Sequence, residues 1–307
     1  MDKKIVLVTG ITGKSGNCFL KKLMAEKAHS TDDIYEYRLI IRESSDTQLI
    51  DQNKFPFERI IGSLDDTATV DKALNGVHTV LHIAGLGKSS LLVERAVNAG
   101  VERLILVHTT GIYSKFKSAS SWYLEIERRI EELLLNTDIS LTILRPTMIY
   151  GTLTDKNISV FIKMVDRLRL FPIIQGASFA LQPVHCNDLG IAYYNVLMNE
   201  EKIKNKNYNL SGSEPIDLID ILKTISLYLN KKTTFISLPF APCYFFSWFI
   251  YCISFTKIDL REKVQRLVEP RVYSHADAKN DFGYSPVSFS EGVKAEVENY
   301  IKSKIKS

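Results

Sequence analysis

The sequence predicts an α/β fold, a doubly wound parallel sheet with a smaller carboxyl-terminal lobe. Three observations carry that prediction. An apolar run, Ile5-Val6-Leu7-Val8, breaks into the glycine-rich turn Thr9-Gly10-Ile11-Thr12-Gly13-Lys14-Ser15-Gly16 and then into a helix-like stretch from Asn17 to Leu23. Short apolar runs then alternate with helical patterns as far as Tyr150, as parallel strands joined by helical crossovers require. Past Tyr150-Gly151 the alternation loosens, as it does where a second lobe is inserted.

The opening turn has the residues to hold a dinucleotide. Gly10 permits a tight bend, Gly13 lets the backbone approach a pyrophosphate, and Gly16 lets the helix pack close to the strand. Amides of the first helical turn, aided by the helix dipole, then face negative charge. Gly10, Thr12, Gly13, Lys14, Ser15 and Gly16 are therefore the candidate phosphate-binding residues. A glycine turn that only connects two packed elements is the alternative, and the strand–turn–helix context favours the dinucleotide.

A second strand, Tyr37 to Ile41, ends at Arg42-Glu43-Ser44. At this place an acidic residue suits the free ribose hydroxyls of NAD, whereas an arginine accommodates the 2′-phosphate of NADP. Arg42 comes first, so NADP is expected, with NAD kept open by Glu43 beside it. The third strand is Phe57 to Ile61, followed by Gly62-Ser63-Leu64-Asp65-Asp66 and a helix through Val70 and Leu74. A fourth, Thr79 to Gly85, ends on Ala84 and Gly85, small enough for a bound cofactor to lie against the backbone. A helix from Ser90 to Ala99, a strand from Leu104 to Val107, a charged helix from Trp122 to Leu135 and a strand from Leu141 to Leu144 complete the alternation. Beyond Gly151, apolar periodicity marks helices through Val160–Leu168 and Leu189–Leu197.

Bulk properties exclude several classes. With 307 residues, 45% hydrophobic and 24% charged, the chain has the composition of a globular protein large enough for one large core or two lobes. Its net charge of +4 comes largely from scattered lysines such as Lys202, Lys204, Lys302 and Lys304, with no basic stripe interleaved with aromatics. Nucleic acid is therefore not an expected partner. Cys18, Cys186, Cys243 and Cys252 make no CxxC spacing and read as reduced, mostly buried thiols. The amino terminus runs directly into the first strand, leaving no room for a signal peptide, and the expected compartment is the cytoplasm. No His/Cys/Asp cluster has metal-ligand spacing.

Nearly the whole chain resembles the extended or atypical short-chain dehydrogenase/reductase superfamily, in particular its NAD-dependent epimerase/dehydratase-like branch. The stretches that carry the resemblance are TGITGKSG, HIAG, HTTGIYS, ILRPTMIYG, PVHCNDLGIA, YNLSGSEPIDLIDILKTI and HADAKNDFGYSP, in the family's order. The resemblance implies a Rossmann-type NAD(P)-binding core over 1–150, with 183–212 returning to it, and a substrate lobe over 151–182 and 213–307. It implies pyrophosphate contacts at Gly10, Gly13 and Gly16, adenine contact at Leu64, and cofactor contact at Ala84, Gly85 and the loop that begins at Pro146. Ser63 stands where the family usually has aspartate, which puts one adenine hydrogen bond in doubt.

The family's chemistry uses a tyrosine as acid/base, a lysine four residues later and a hydroxyl at the end of the fifth strand. An ammonium one helical turn away favours the phenolate, and i, i+4 spacing places both groups on one helix face. Thr109 fits the hydroxyl role, with Thr110 as second choice, and Tyr123 fits the tyrosine. The lysine position is Glu127, whose charge acts in the opposite sense. A literal Tyr-x-x-x-Lys, Tyr113 to Lys117, lies too close to the fifth strand to sit in the long helix, and Tyr123 is preferred to it.

Three readings of Glu127 follow. Tyr123 works with a cation from Lys88, Lys115 or Lys117 while Glu127 accepts hydrogen bonds from the nicotinamide ribose; or the protein binds NADP without redox chemistry, as a sensor or assembly protein; or Glu127 belongs to a solvated face with Glu125, Arg129 and Glu132. Arg145-Pro146 reads as a strand stop, and His82, His108 and His185 as packed, hydrogen-bonded residues.

The functions expected are an oxidoreductase or epimerase acting on a nucleotide sugar or related metabolite, a catalytically inactive NADP-binding protein, or a reductase of a lipid-like substrate. The last is suggested by the uncharged aromatic stretch from Phe240 to Phe255, with Lys257 and Arg261 beyond it. That stretch is shorter than the roughly 20 residues of a spanning helix and reads as a buried lobe helix or as one lying in a membrane interface. Expected partners are a small molecule and, as further candidates, a membrane surface and a second copy of the chain.

Overall fold

The computed structural model describes residues 3–27, 34–52, 56–253, 265 and 268–306. The chain divides into two compact units. The first comprises 1–146, 186–210 and 275–285, and the second 147–185, 211–274 and 286–307.

The first unit is built on β1 (Lys4–Thr9), α1 (Lys14–Lys27), β2 (Tyr35–Ile41), β3 (Glu58–Ile61), α2 (Thr67–Leu74), β4 (Val77–His82), α3 (Ser89–Asn98), β5 (Arg103–Val107), α4 (Lys117–Leu134), β6 (Ser140–Pro146), α5 (Cys186–Met198) and β7 (Asn207–Leu210). Its seven strands pair in the order β7-β6-β5-β4-β1-β2-β3, all in parallel. This is the doubly wound Rossmann-type sheet. Strand order reverses between β1 and β4, the switch point at which such sheets take a ligand beyond the carboxyl ends of their strands.

Burial on both faces explains the near-continuous apolar character of these strands. Leu7, Val80, Leu104 and Leu106 meet Leu92, Val93, Ile126 and Ile130 in one core on the helix side. At the start of α2 the Asp66 carboxylate accepts the Ala68 and Thr69 amides. The carboxyl end of α5 is closed by a side chain instead. Arg103, almost fully buried, donates to the carbonyls of Val196 (2.7 Å) and Leu197 (2.9 Å), two of the groups a helix leaves unpaired at its end.

Two segments differ from expectation. Helix α4 begins at Lys117, ahead of the expected start at Trp122, because Ser120 Oγ bonds back to the Phe116 carbonyl at 3.1 Å and so stays inside the helix. Residues 275–285, expected in the lobe, belong to the first unit. Here Phe282 packs edge-on against Tyr208 with ring centroids 5.1 Å apart, and Asp281 accepts from Lys206 (2.7 Å) and the Tyr208 hydroxyl (2.6 Å).

The second unit has its own core. Helices Ile158–Arg167, Leu218–Tyr228 and Phe289–Lys306 contribute Ile162, Val165, Ile221, Ile225, Val293 and Val297 to it, together with Phe171 and Ile173. Those two phenylalanine and isoleucine side chains come from a strand, Leu170–Ile174, paired in parallel with Thr234–Leu238. A helix follows over Phe240–Ile253; Ser254, Phe255, Lys257 and Arg261 lie outside the described residues. Among the described residues no helix is long and apolar enough to cross a membrane.

Candidate functional site

All fifteen expected site residues lie in the first unit. Those up to Thr109 fall on the loops that follow the strands or on the first turn of α1, Tyr123 and Glu127 lie on α4, and Pro146 ends β6. The turn after β1 holds Gly10 at φ +75, with a Cβ position 2.5 Å from the Ala84 amide nitrogen, so only glycine allows the β1 and β4 loops to approach this closely. A Cβ on Gly16 would stand 2.1 Å from the Gly10 carbonyl oxygen. The Gly13 amide donates to Gly10 O (2.9 Å), and Asn17 N–H closes the first bond of α1 on Gly13 O (2.7 Å). Amides ahead of Asn17 therefore open the helix towards the end of β1. Thr12, Lys14 and Ser15 occupy this same turn, Lys14 exposed.

Arg42 is the first residue after β2 and is exposed. Past β3, the Ser63 hydroxyl accepts the Asp65 amide (3.1 Å) and donates to the Asp65 carboxylate (3.2 Å), while Leu64 packs against the core. Asp65 is in turn paired with Lys88, which ties the β3 loop to the β4 loop and holds the Asp65 carboxyl below its usual value through that bond. Lys88, one of the cations expected beside Tyr123, pairs here with Asp65. The Lys117 side chain lies outside the described residues, and Lys115 is exposed.

Beyond β4, His82 is fully buried. Its Nε2 donates to Gly85 O (3.1 Å), so its Nδ1 accepts from Thr9 Oγ1 (2.7 Å). Burial is the main cause that pushes its pKa down to about 4, with His108 nearby adding to it. A neutral ring therefore links the loops after β1 and β4. Ala84 is exposed and Gly85 takes φ +107.

After β5, Thr109 Oγ1 accepts the Gly111 amide (3.0 Å) and Thr110 Oγ1 donates to the carbonyl of Pro146, the last residue of β6 (3.2 Å). The ring of Tyr123, on α4, lies against Gly111: a Cβ there would be 2.7 Å from Tyr123 Cε2 and 3.3 Å from Thr109 Oγ1. The structure thus brings Tyr123 and Thr109 together over one glycine. Tyr113 sits in the turn Thr110–Tyr113 rather than in α4, with its hydroxyl donating to Asn209 Oδ1 (3.2 Å) and its ring 5.8 Å from the Arg145 guanidinium.

Glu127 is where the sequence reading needs correction. It is 6% exposed, so it belongs to no solvated face. Oε1 accepts from His108 Nδ1 (2.9 Å) and Arg145 Nε (3.1 Å), Oε2 accepts from Arg145 Nη2 (2.5 Å), and His108 Nε2 meets Ser89 Oγ at 3.2 Å. Burial alone would raise this carboxyl, but the bonds from His108 and Arg145 outweigh it and hold the pKa below its ordinary value. Both oxygens take part in this internal ion pair, a partnership that the spacing of 108, 127 and 145 did not suggest. Arg145 is correspondingly more than a strand stop. Its pairing with Glu127 raises its pKa against the opposing effect of burial.

Sequence reasoning also missed a meeting of thiols. Cys18 on α1 and Cys186 on α5 hydrogen-bond to each other, which lowers the first and, with burial, raises the second. Both are buried and unoxidised, and Cys243 is half-buried. In the second unit His185 packs edge-on against Tyr150 at 5.2 Å, and burial lowers its pKa. Among the described residues no group of three or more His, Cys, Asp and Glu is placed to hold a metal.

A family model described as NAD(P)H-binding matches residues 10–166, just over half of the sequence. The chain belongs to this NAD(P)H-binding family. A solved UDP-glucose 4-epimerase from Thermotoga maritima and a solved dTDP-glucose 4,6-dehydratase from Streptomyces venezuelae share its fold, with TM-scores of 0.71 and 0.73 at 17% identity. The mitochondrial NADH dehydrogenase (ubiquinone) 1 alpha subcomplex subunit 9 of Arabidopsis thaliana is 25% identical over 143 residues, 47% of this chain and 35% of that protein. The NAD-dependent glucose-6-phosphate dehydrogenase of Haloferax volcanii is 26% identical over 126 residues, 35% of this chain and 45% of that enzyme. The chain thus spans less than half the length of the curated relatives it matches. A solved structure of UDP-glucuronic acid 4-epimerase from Bacillus cereus, in complex with UDP-glucuronic acid and NAD, has a TM-score of 0.73 at 18% identity and covers 97% of this chain and 99% of that one. At that identity the likeness is one of fold.

The residues present in this NAD(P)H-binding chain fit a dinucleotide. The Gly10 and Gly16 positions are closed to any Cβ, and a helix start opens beside them, the combination that a pyrophosphate needs.

Proposed function

We propose that the chain is an NAD(P)-dependent oxidoreductase or epimerase acting on a nucleotide sugar or related metabolite, with NADP preferred. The observation that carries this reading is the placement of Tyr123 and Thr109 over Gly111, in the unit whose β1 turn forms the glycine cradle. In it, Gly10, Thr12, Gly13, Lys14, Ser15 and Gly16 hold the pyrophosphate, Arg42 the 2′-phosphate, Ser63 and Leu64 the adenosine side, and Ala84, Gly85 and Pro146 the side of the nicotinamide. The cofactor, when bound, accepts or returns a hydride. Thr109 orients the substrate oxygen and Tyr123 holds or moves its proton. Residues 151–182 and 213–307, apart from the segment returned to the first unit, supply the substrate contacts, and the working compartment is the cytoplasm.

A second reading has a specific observation in its favour. With Glu127 at the position one turn after Tyr123 and paired with Arg145, the tyrosine has a carboxylate where an ammonium would favour its phenolate, which suits a catalytically quiet NADP-binding sensor or assembly protein. One experiment separates the two. Melting temperature is measured with NADP, NADPH, NAD and NADH, and turnover is then followed by nicotinamide absorbance and product analysis with UDP-glucose and UDP-glucuronic acid. The enzyme reading expects stabilisation by NADP above NAD, reversed in Arg42→Glu, and turnover that Tyr123→Phe lowers at least about a hundredfold. Stabilisation without turnover of any nucleotide sugar favours the quiet protein, and no shift with any dinucleotide refutes both.

A further inference from the structure

The second unit carries an apolar surface that neither reading uses. In the parallel pair Leu170–Ile174 and Thr234–Leu238 the register sets Leu170 beside Thr234, Pro172 beside Ile236 and Ile174 beside Leu238. Alternate strand residues share a face, so these six lie together on one side. The other side, with Phe171 and Ile173, enters the core. On the outer side Leu170 is 60% exposed, Ile236 43% and Leu238 38%. Only Thr234 among the six is polar.

Past Pro239 the chain enters the helix Phe240–Ile253, whose sequence contains no charged residue. Phe240 and Tyr244 stack at 5.7 Å, and Phe245 is 65% exposed. Aromatic side chains in such a position are stabilised at the boundary between water and acyl chains. At 14 residues the helix is too short to span a bilayer.

Charge decides the partner. The strands run parallel, so both begin at one end, and the Thr234 amide bonds the Arg169 carbonyl at 2.8 Å, setting the two beginnings side by side. Each is led by cations, Arg167 and Arg169 for one and Lys231 and Lys232 for the other, all exposed. Lys231 is engaged by Asp166 at 3.2 Å. An apolar, aromatic surface bordered by cations matches acyl chains beneath anionic headgroups. We infer that the second unit docks on an anionic lipid surface through the outer face of this strand pair and the aromatic helix that follows it.

The test uses the full chain without cofactor, so its outcome is separate from that of the proposed function. Extruded vesicles of phosphatidylcholine alone, or with about one-third phosphatidylglycerol, are sedimented and the bound chain is quantified. The expected result is binding to the anionic vesicles at least about tenfold stronger than to the neutral ones, weakened by salt. Phe245→Glu should lower it about tenfold, and Arg169→Gln and Lys232→Gln about fivefold each. Melting curves confirm that the variants fold, and Leu170→Gln reads the same face from the strand if Phe245→Glu does not. Absence of sedimentation, or binding indifferent to these substitutions, overturns the inference. So does a concentration-dependent dimer that Phe245→Glu dissolves, since the surface then belongs to a second copy.

Discussion

Replacing Arg145 by methionine would leave the Glu127 carboxylate in place, 6% exposed, with one charged partner removed. Breaking a buried pair from one side typically costs about 3–5 kcal/mol, because an uncompensated charge stays behind. His108 still donates to Oε1, so the lower end, about 3 kcal/mol, is expected near neutral pH. The sign of the pH dependence follows from what remains. In the parent chain the Glu127 pKa lies below its ordinary 4.5, so its contribution is present above that value and is lost as pH falls through the folded one. In Arg145→Met the effect of burial is opposed by His108 alone and the carboxyl rises. The variant's carboxyl takes up its proton at higher pH than the parent's, so the gap between the two narrows as pH falls. Urea unfolding of the parent, Arg145→Met, Glu127→Gln and the double variant measures both quantities. The double variant should be more stable than Arg145→Met by at least about 1 kcal/mol. A loss below about 1 kcal/mol in Arg145→Met, or additive single effects, would refute the buried-pair account.

His82 should set part of the acid limb of stability. Its pKa, lowered from 6.5 to about 4, means that the unfolded chain binds more protons between these values. Up to about 3 kcal/mol present above 6.5 is therefore lost as pH falls to about 4; His82→Gln should flatten that limb in urea titrations, and parallel limbs would count against it. Gly16→Ala places a methyl 2.1 Å from the Gly10 oxygen. It is expected to cost about 1–3 kcal/mol and to weaken NADP binding at least about tenfold in calorimetry, and unchanged binding would mean that the cradle holds nothing.

Much of the fold was legible because the strands are buried on both faces. Val6, Val8, Leu39, Leu81 and Leu104 are all fully buried, and a strand with no wet side announces itself as an unbroken apolar run. The glycine turn was legible for a different reason: Gly10 and Gly16 stand where any side chain would collide with backbone. What could not be read were pairings between distant positions. Glu127, Arg145 and His108 sit on α4, β6 and the end of β5, and nothing in the spacing of 108, 127 and 145 says that parallel strands and a crossover helix bring them to one point. The helix start at Lys117 was obscured locally, since Ser118, Ser120 and Ser121 are turn formers whose hydroxyls can equally bond back into a helix. Residues 275–285 follow a long stretch of the second unit, and only the buried Phe282 and Tyr284 marked their return.

The clasp of Arg145 on Glu127 also constrains how this sequence can change. Restoring an ammonium after Tyr123 by the one substitution Glu127→Lys would set two cations face to face in a dry pocket, within reach of a guanidinium that bonds at 2.5 Å, and the fold would bear the repulsion before any chemistry gained. Arg145 would have to go first, through an intermediate carrying an orphaned carboxylate. Positions 127 and 145 are therefore coupled, and a change at either is best tolerated with a matching change at the other.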